Sequence, residues 1–212
     1  MDPAFWHQKW EDKQIGFHRD AVNPLLLAHF KALALEKGQT IFLPLCGKTL
    51  DIAWLLTQGL SVKGIELHEP AVVELFDDLG LEPVIAELGF LKCYSAPGLM
   101  IYVGDIFKLT ITVLGEVNAV YDRAAIVALP KTMRADYAIQ VMALSQKSDQ
   151  LVINYVYDQS IMAGPPFSVS NEELALYYSE HYSMTLLYEN DVEGGLKGCC
   201  PATESVWLLN RN

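Results

Sequence analysis

Positive charge is scarce in this chain. Its 212 residues include 15 Lys and Arg against 26 Asp and Glu, a net charge of −11. Nucleic-acid binders draw most of their non-specific affinity from phosphate neutralisation, so this balance, with no basic run, argues against a nucleic-acid partner. Long apolar runs are missing too. None approaches the ~18 residues that would span a bilayer, and residues 1–20 hold no apolar signal core. No membrane partner and a cytoplasmic location are therefore expected. The four cysteines, Cys46, Cys93, Cys199 and Cys200, match neither a zinc site nor a disulfide framework, so reduced thiols and no metal are expected. His7, His18, His29, His68 and His181 show no ligand spacing either. Repeats, low-complexity segments and linkers are absent, which leaves one domain over 1–212. No heptad or exposed apolar helix demands a partner, so a monomer is expected.

The chain is 51% apolar, enough for a substantial core. Its most informative stretch runs from Thr40 to Glu66. It reads as a buried strand (Ile41 to Leu45), a turn at Gly47, a helix from Asp51 stopped by Gly59, and a second strand ending in Glu66. Such a unit suits an adenosine. The glycine lets backbone approach a ligand, and a carboxylate about 20 residues on can accept from ribose hydroxyls.

Further helices are expected from Leu25 to Leu35 ending at Gly38, over Pro70 to Leu79, over Pro130 to Leu144 and over Asn171 to Tyr178. Strands are expected at Ala119 to Asp122, Leu151 to Tyr157, Met184 to Tyr188 and Val206 to Leu209, with a hairpin-like turn at Ala96-Pro97-Gly98. Strand and helix alternate from 40 to about 155. The expected fold is α/β: a doubly wound, mostly parallel sheet of about seven strands with an antiparallel C-terminal edge. In such sheets ligands sit beyond the carboxyl ends of the strands. Leu45, Glu66, Asp105 and Arg123 all fall there.

Glu66 is either a solvent-exposed strand end or the ribose carboxylate, and its place after the apolar run Val62 to Ile65 favours the second. Gly47-Lys48-Thr49 suggests a phosphate loop, but that motif needs a glycine five positions earlier, where Phe42 stands. The Gly-x-Gly-x-x-Gly dinucleotide pattern fails as well. An adenosine without a pyrophosphate fits this glycine-poor turn better, and one carrying methionine is such a ligand. Asp105 either caps the turn before Phe107 or meets an adenine amino group. Arg123 either pairs with Asp122 or serves the site. Trp6, Trp10 and Phe17 are either core or an aromatic lid formed by residues 1–20.

Taken in order, these segments resemble thiopurine S-methyltransferases of the bacterial type. The likeness is carried by Phe5-Trp6, Lys9-Trp10, Ile15-Gly16-Phe17-His18, Pro44-Leu45-Cys46-Gly47-Lys48, Gly64-Ile65-Glu66, Gly104-Asp105-Ile106-Phe107, Tyr121-Asp122-Arg123-Ala124 and Gly164-Pro165-Pro166-Phe167. Asp191 to Ala202 is the least similar segment. The resemblance implies a Rossmann-like methyltransferase that uses S-adenosyl-L-methionine. It implies that Trp10, Leu45, Glu66, Asp105, Ile106 and Arg123 line the cofactor site, and that Phe17 and Arg123 border the substrate. Implied substrates are aromatic or heterocyclic thiols such as thiopurines, with selenium and tellurium compounds as a further group. No catalytic base is implied, because acidic thiols ionise unaided. The rival readings are a nicotinamide or nucleotide enzyme, a non-catalytic adenosine-binding module, an interaction protein, and a methyltransferase with another small acceptor.

Overall fold

Nine strands form one sheet in the order β3-β4-β5-β2-β1-β6-β7-β9-β8 in a computed structural model that describes residues 3–16 and 18–212. The strands are β1 (Thr40–Pro44), β2 (Ser61–Glu66), β3 (Val84–Leu88), β4 (Leu91–Ala96), β5 (Leu99–Val103), β6 (Ala119–Arg123), β7 (Asp149–Tyr157), β8 (Tyr182–Asp191) and β9 (Ala202–Arg211). The five central strands, β5-β2-β1-β6-β7, run parallel. Antiparallel pairs close both edges: β4 and β3 beside β5, and β9 and β8 beside β7.

The count is nine rather than about seven because an edge hairpin, β3–β4, precedes β5. All five positions of β3 are exposed, so it carries no buried run and no alternation that would mark a strand. The antiparallel C-terminal edge and the Ala96-to-Leu99 hairpin turn stand as expected.

Helices cover both faces. On one lie α2 (Pro24–His29), α3 (Asp51–Thr57) and α4 (Glu69–Asp78), whose Leu26, Ile52, Leu55, Val72 and Phe76 pack on Ile41, Leu43 and Val62. On the other lie α5 (Ile111–Leu114), α6 (Lys131–Leu144) and α7 (Asn171–Tyr178), with Tyr137, Val141, Leu174 and Tyr178 packed on Phe42, Val120 and Val152. Strand residues alternate between faces, so Phe42 faces one core while Ile41 and Leu43 face the other.

Caps fix several helix starts. Asn23 accepts from the Leu25 amide and Ser170 from that of Glu173, each satisfying an otherwise orphaned donor. The helix expected to run to Gly38 stops sooner. After α2 the chain tightens into a 3-10 turn, Phe30–Leu33, and ends at Ala34 in the left-handed region (φ 49°). A first helix, α1 (Pro3–Glu11), lies before this body and buries Trp10.

The order of connections matters for the site. From β1 the chain winds outward through β2 to β5, then returns to the other flank of β1 as β6. That reversal opens a crevice at the carboxyl ends of β1 and β6, where open α/β sheets take their ligands.

Candidate functional site

A cleft of about 500 Å³ occupies the crevice. Its floor is made by the ends of β1, β2, β5 and β6, through Leu45, Glu66, Asp105 and Arg123. Trp6, Lys9 and Trp10 of α1 wall one side. Gly164, Pro165 and Pro166, with Leu196 and Lys197, wall the far end.

The turn after β1 is held in an uncommon conformation. Leu45 has φ 48° and Gly47 φ 54°. A non-glycine residue there is sparsely populated, and such positions cluster at ligand sites. The turn lies flat on β2 because Cys46 donates its amide to the Ile65 carbonyl at 3.0 Å. It needs Gly64 beneath it, since a Cβ there would stand 2.8 Å from Cys46 Sγ and 2.9 Å from Ile101 Cδ1.

Glu66 is 6% exposed. Its Oε2 accepts from the Gly47 amide and its Oε1 from the His68 amide, each at 2.9 Å. Burial raises its pKa, and the His68 and Gly47 amides oppose that rise. A carboxylate has about four acceptor sites, so capacity remains toward the cleft. A buried acceptor-only group that borders open space suits a pair of ribose hydroxyls.

Asp105 caps the 3-10 turn Ile106–Lys108, accepting from the Phe107 amide at 3.0 Å. It is exposed and it also lines the cleft, so the capping reading holds and leaves its second oxygen without a partner among the described residues. Ile106 is 3% exposed and joins the core. The Gln140 amide group donates to the Ile106 and Leu109 carbonyls and fixes this turn against α6.

Trp10 is buried against the β2–α4 turn. Its ring stacks on His68 at 5.6 Å with planes 4° apart. The His7 and His68 Nδ1 atoms lie 3.0 Å apart, a second tie between α1 and the body. Burial foremost, then the neighbouring His7, lowers the His68 pKa. Phe17 lies outside the described residues, although Gly16 and His18 on either side of it line the cleft.

Asp122 and Arg123 do not pair. Asp122 points into the α6 side, where Oδ1 accepts from the Ile126 amide at 3.0 Å and Oδ2 from the Tyr137 hydroxyl at 2.7 Å. Desolvation pushes its pKa up to about 6. Its neighbour Arg123 faces the other way, half-buried in the cleft, and among the described residues it makes no ion pair. Alternation along β6 thus separates a structural carboxylate from a cation free to meet a ligand.

Lys48 is no phosphate lysine. It pairs with Glu74 of α4 at 2.7 Å.

The sequence reading missed a second set of cleft residues. Tyr155 of β7 and Glu204 of β9 sit directly opposite each other, and the Tyr155 hydroxyl donates to Glu204 Oε1 at 2.6 Å. Both line the far end of the cleft. Their residue types carry no local motif, and only the β7–β9 register reveals the pair. The proline loop is seated separately: the Tyr157 hydroxyl donates to the Pro166 carbonyl at 2.6 Å and Lys197 Nζ to the Pro165 carbonyl at 2.7 Å, while Arg134, 2% exposed, donates to the Leu129 and Ser168 carbonyls and to both oxygens of Glu173.

Comparison with known proteins decides the family. The family model described as Thiopurine S-methyltransferase (TPMT) matches residues 1–212. The chain belongs to the thiopurine S-methyltransferase family. It is 49% identical to the thiopurine S-methyltransferase of Teredinibacter turnerae over 100% of this chain and 99% of that protein. It is 51% identical to that of Xanthobacter autotrophicus, with both chains fully covered. Among solved structures, a 1,6-didemethyltoxoflavin-N1-methyltransferase from Burkholderia thailandensis, bound to 1,6-didemethyltoxoflavin and S-adenosylhomocysteine, aligns with TM-score 0.65. It is 15% identical and covers 98% of this chain and 87% of that one. A TehB-like methyltransferase from Corynebacterium glutamicum aligns with TM-score 0.58 at 14% identity, covering 99% and 98%. These two share the fold.

A member of this family is an S-adenosylmethionine-dependent methyltransferase. The cleft fits that cofactor on its own evidence. It offers a buried carboxylate beside a flat, glycine-permitted turn, and among the described residues no lysine or glycine cradle for phosphates. Its volume lies within the range of small-molecule sites.

Proposed function

We propose that this enzyme methylates the sulfur of aromatic or heterocyclic thiols such as thiopurines. The observation that carries the reading is Arg123: a cation without an ion-pair partner among the described residues, at the end of β6, inside a cleft that also has apolar lining residues. The wall residues Trp6, Leu129, Met133, Pro165 and Pro166 can enclose a flat ring. A guanidinium beside a bound thiol favours the thiolate.

The division of labour follows from the geometry. Glu66, Leu45 and the Asp105–Ile106 turn would hold the adenosine portion, with Trp10 and its helix above. The cofactor supplies an electrophilic methyl group on a sulfonium sulfur. Methyl transfer from a cation to an anion disperses both charges, so exclusion of water favours it. In this reading α1 and the residues up to 20 act as a lid that supplies dryness, and the proline loop positions the ring. Among the described residues no feature singles out selenium or tellurium acceptors.

Incubation of the purified protein with S-adenosylmethionine and 6-mercaptopurine, read by mass spectrometry, tests the proposal. Methylated product with S-adenosylhomocysteine is expected. Retained cofactor binding with no methylated thiol would remove the thiol reading and send the search to other acceptors.

A further inference from the structure

We propose that Glu204, held by Tyr155, is the base that converts a bound heterocyclic thione into its thiolate. The inference rests on the thiol-methylating reading above and names the substrate class more closely: heterocycles with a ring N–H next to the C=S carbon.

The geometry is specific. Tyr155 and Glu204 are register partners across β7 and β9, so their side chains stand side by side on one face. The phenol occupies Oε1 at 2.6 Å. Oε2 has no hydrogen-bond partner among the described residues, and Glu204 is half-buried at the cleft wall. Burial first, then the Glu204 charge, raises the Tyr155 pKa, while Arg123 and Arg19 pull it down. Arg123 is the register partner of Ile153, two positions before Tyr155 on the same face of β7, and neither Arg123 nor Arg19 is ion-paired to Glu204. The far end of the cleft thus presents an anchored carboxylate together with a cation that has no ion pair among the described residues.

A neutral thione matches that pairing. It carries a hydrogen-bond donor, the ring N–H, and an electron-rich sulfur on the adjacent carbon. With N–H on Glu204, the sulfur is turned toward the cationic side. In the step itself the N–H bond breaks and the proton bonds to Glu204 Oε2. The N–H electron pair becomes part of a ring C=N bond, and the C=S π pair moves onto sulfur as the thiolate charge. Glu204 is left as a neutral carboxylic acid and returns its proton to solvent after product leaves. No further reactant is needed. An aryl thiol such as thiophenol has no ring N–H and bypasses the step.

The test reads ionisation without turnover. Protein with S-adenosylhomocysteine is mixed with 6-mercaptopurine at a pH below the ionisation of the free compound, and the ultraviolet spectrum of the bound ligand is recorded. The thiolate spectrum is expected for the parent and the thione spectrum for Glu204→Gln. In turnover, the variant's loss with 6-mercaptopurine should exceed its loss with thiophenol by about 10²-fold, the scale of a general base. A thione spectrum in the parent, or equal losses with both thiols, overturns the role. If Glu204→Gln does not fold, Tyr155→Phe serves. It keeps the carboxylate but strips the hydrogen bond that positions it, so its loss with 6-mercaptopurine should exceed its loss with thiophenol, and equal losses overturn the role. A parent that methylates neither thiol fails the broader reading, whereas equal losses in an active enzyme fail Glu204 alone.

Discussion

At the Glu66 end of the cleft, backbone amides and a carbonyl hold the carboxylate and its turn; at the Arg123 end, side chains reach across the sheet to set positions. Glu66 is clamped by the Gly47 and His68 amides, and the turn above it by the Ile65 carbonyl. The opposite end depends on Tyr155 meeting Glu204 and on a proline loop seated by Tyr157 and Lys197. A backbone-built end is indifferent to most substitutions around it. A side-chain-built end can change its ligand by exchanging one residue. That division suits an enzyme whose methyl donor is constant and whose methyl acceptor varies.

The comparison can be broken first at Arg123. Arg123→Met should lower kcat/KM for thiols by about 10²-fold, the scale of losing one electrostatic donor, with cofactor affinity unchanged by calorimetry. A parallel fall in cofactor affinity would show that the two ends are not separate. At the other end, Glu66→Ala should weaken S-adenosylmethionine binding by about 1.5–3 kcal/mol, as for a charge-assisted hydrogen bond. Unchanged calorimetric affinity in a folded variant would remove the ribose role. Gly64→Ala places a Cβ 2.8 Å from Cys46 Sγ. It should cost about 1–3 kcal/mol by overpacking, seen in urea unfolding, and loosen the donor end more than the thiol end.

The smallest effect should come from pH. The two Nδ1 atoms of His7 and His68 share a hydrogen bond only if one of them is unprotonated. Docked His68 has a lowered pKa, set by burial and His7, with Glu11 and Glu74 opposing. A released His68 titrates nearer the ordinary 6.5. The released state therefore binds more protons as pH falls below 6.5, and α1 docking weakens there; above that value both states are neutral and docking is complete. The loss should be about 0.5–1.5 kcal/mol, one hydrogen bond. Tryptophan fluorescence followed from pH 8 to 5 should report it, and His7→Phe should flatten the transition. An identical transition in that variant would exclude the pair.

Sequence legibility follows the same divide. The Glu66 end was readable because 27 contiguous positions, Thr40 to Glu66, hold both strands, the turn and the carboxylate. The ends of β5 and β6 were readable from strand–helix alternation. Tyr155 and Glu204, 49 positions apart, were not, because only strand register joins them. Asp122 and Arg123 were readable as important but not as opposed, since their roles depend on which face each meets. Strand β3 escaped notice because it buries nothing. The fold as a whole was recoverable because its central strands do.

The most direct measurement is a crystal structure with S-adenosylhomocysteine and 6-mercaptopurine. The account predicts ribose hydroxyls on Glu66 and the purine sulfur at the Arg123 end, with a ring nitrogen facing Glu204. Ribose away from Glu66, or the purine outside the space between Arg123 and Glu204, would contradict it.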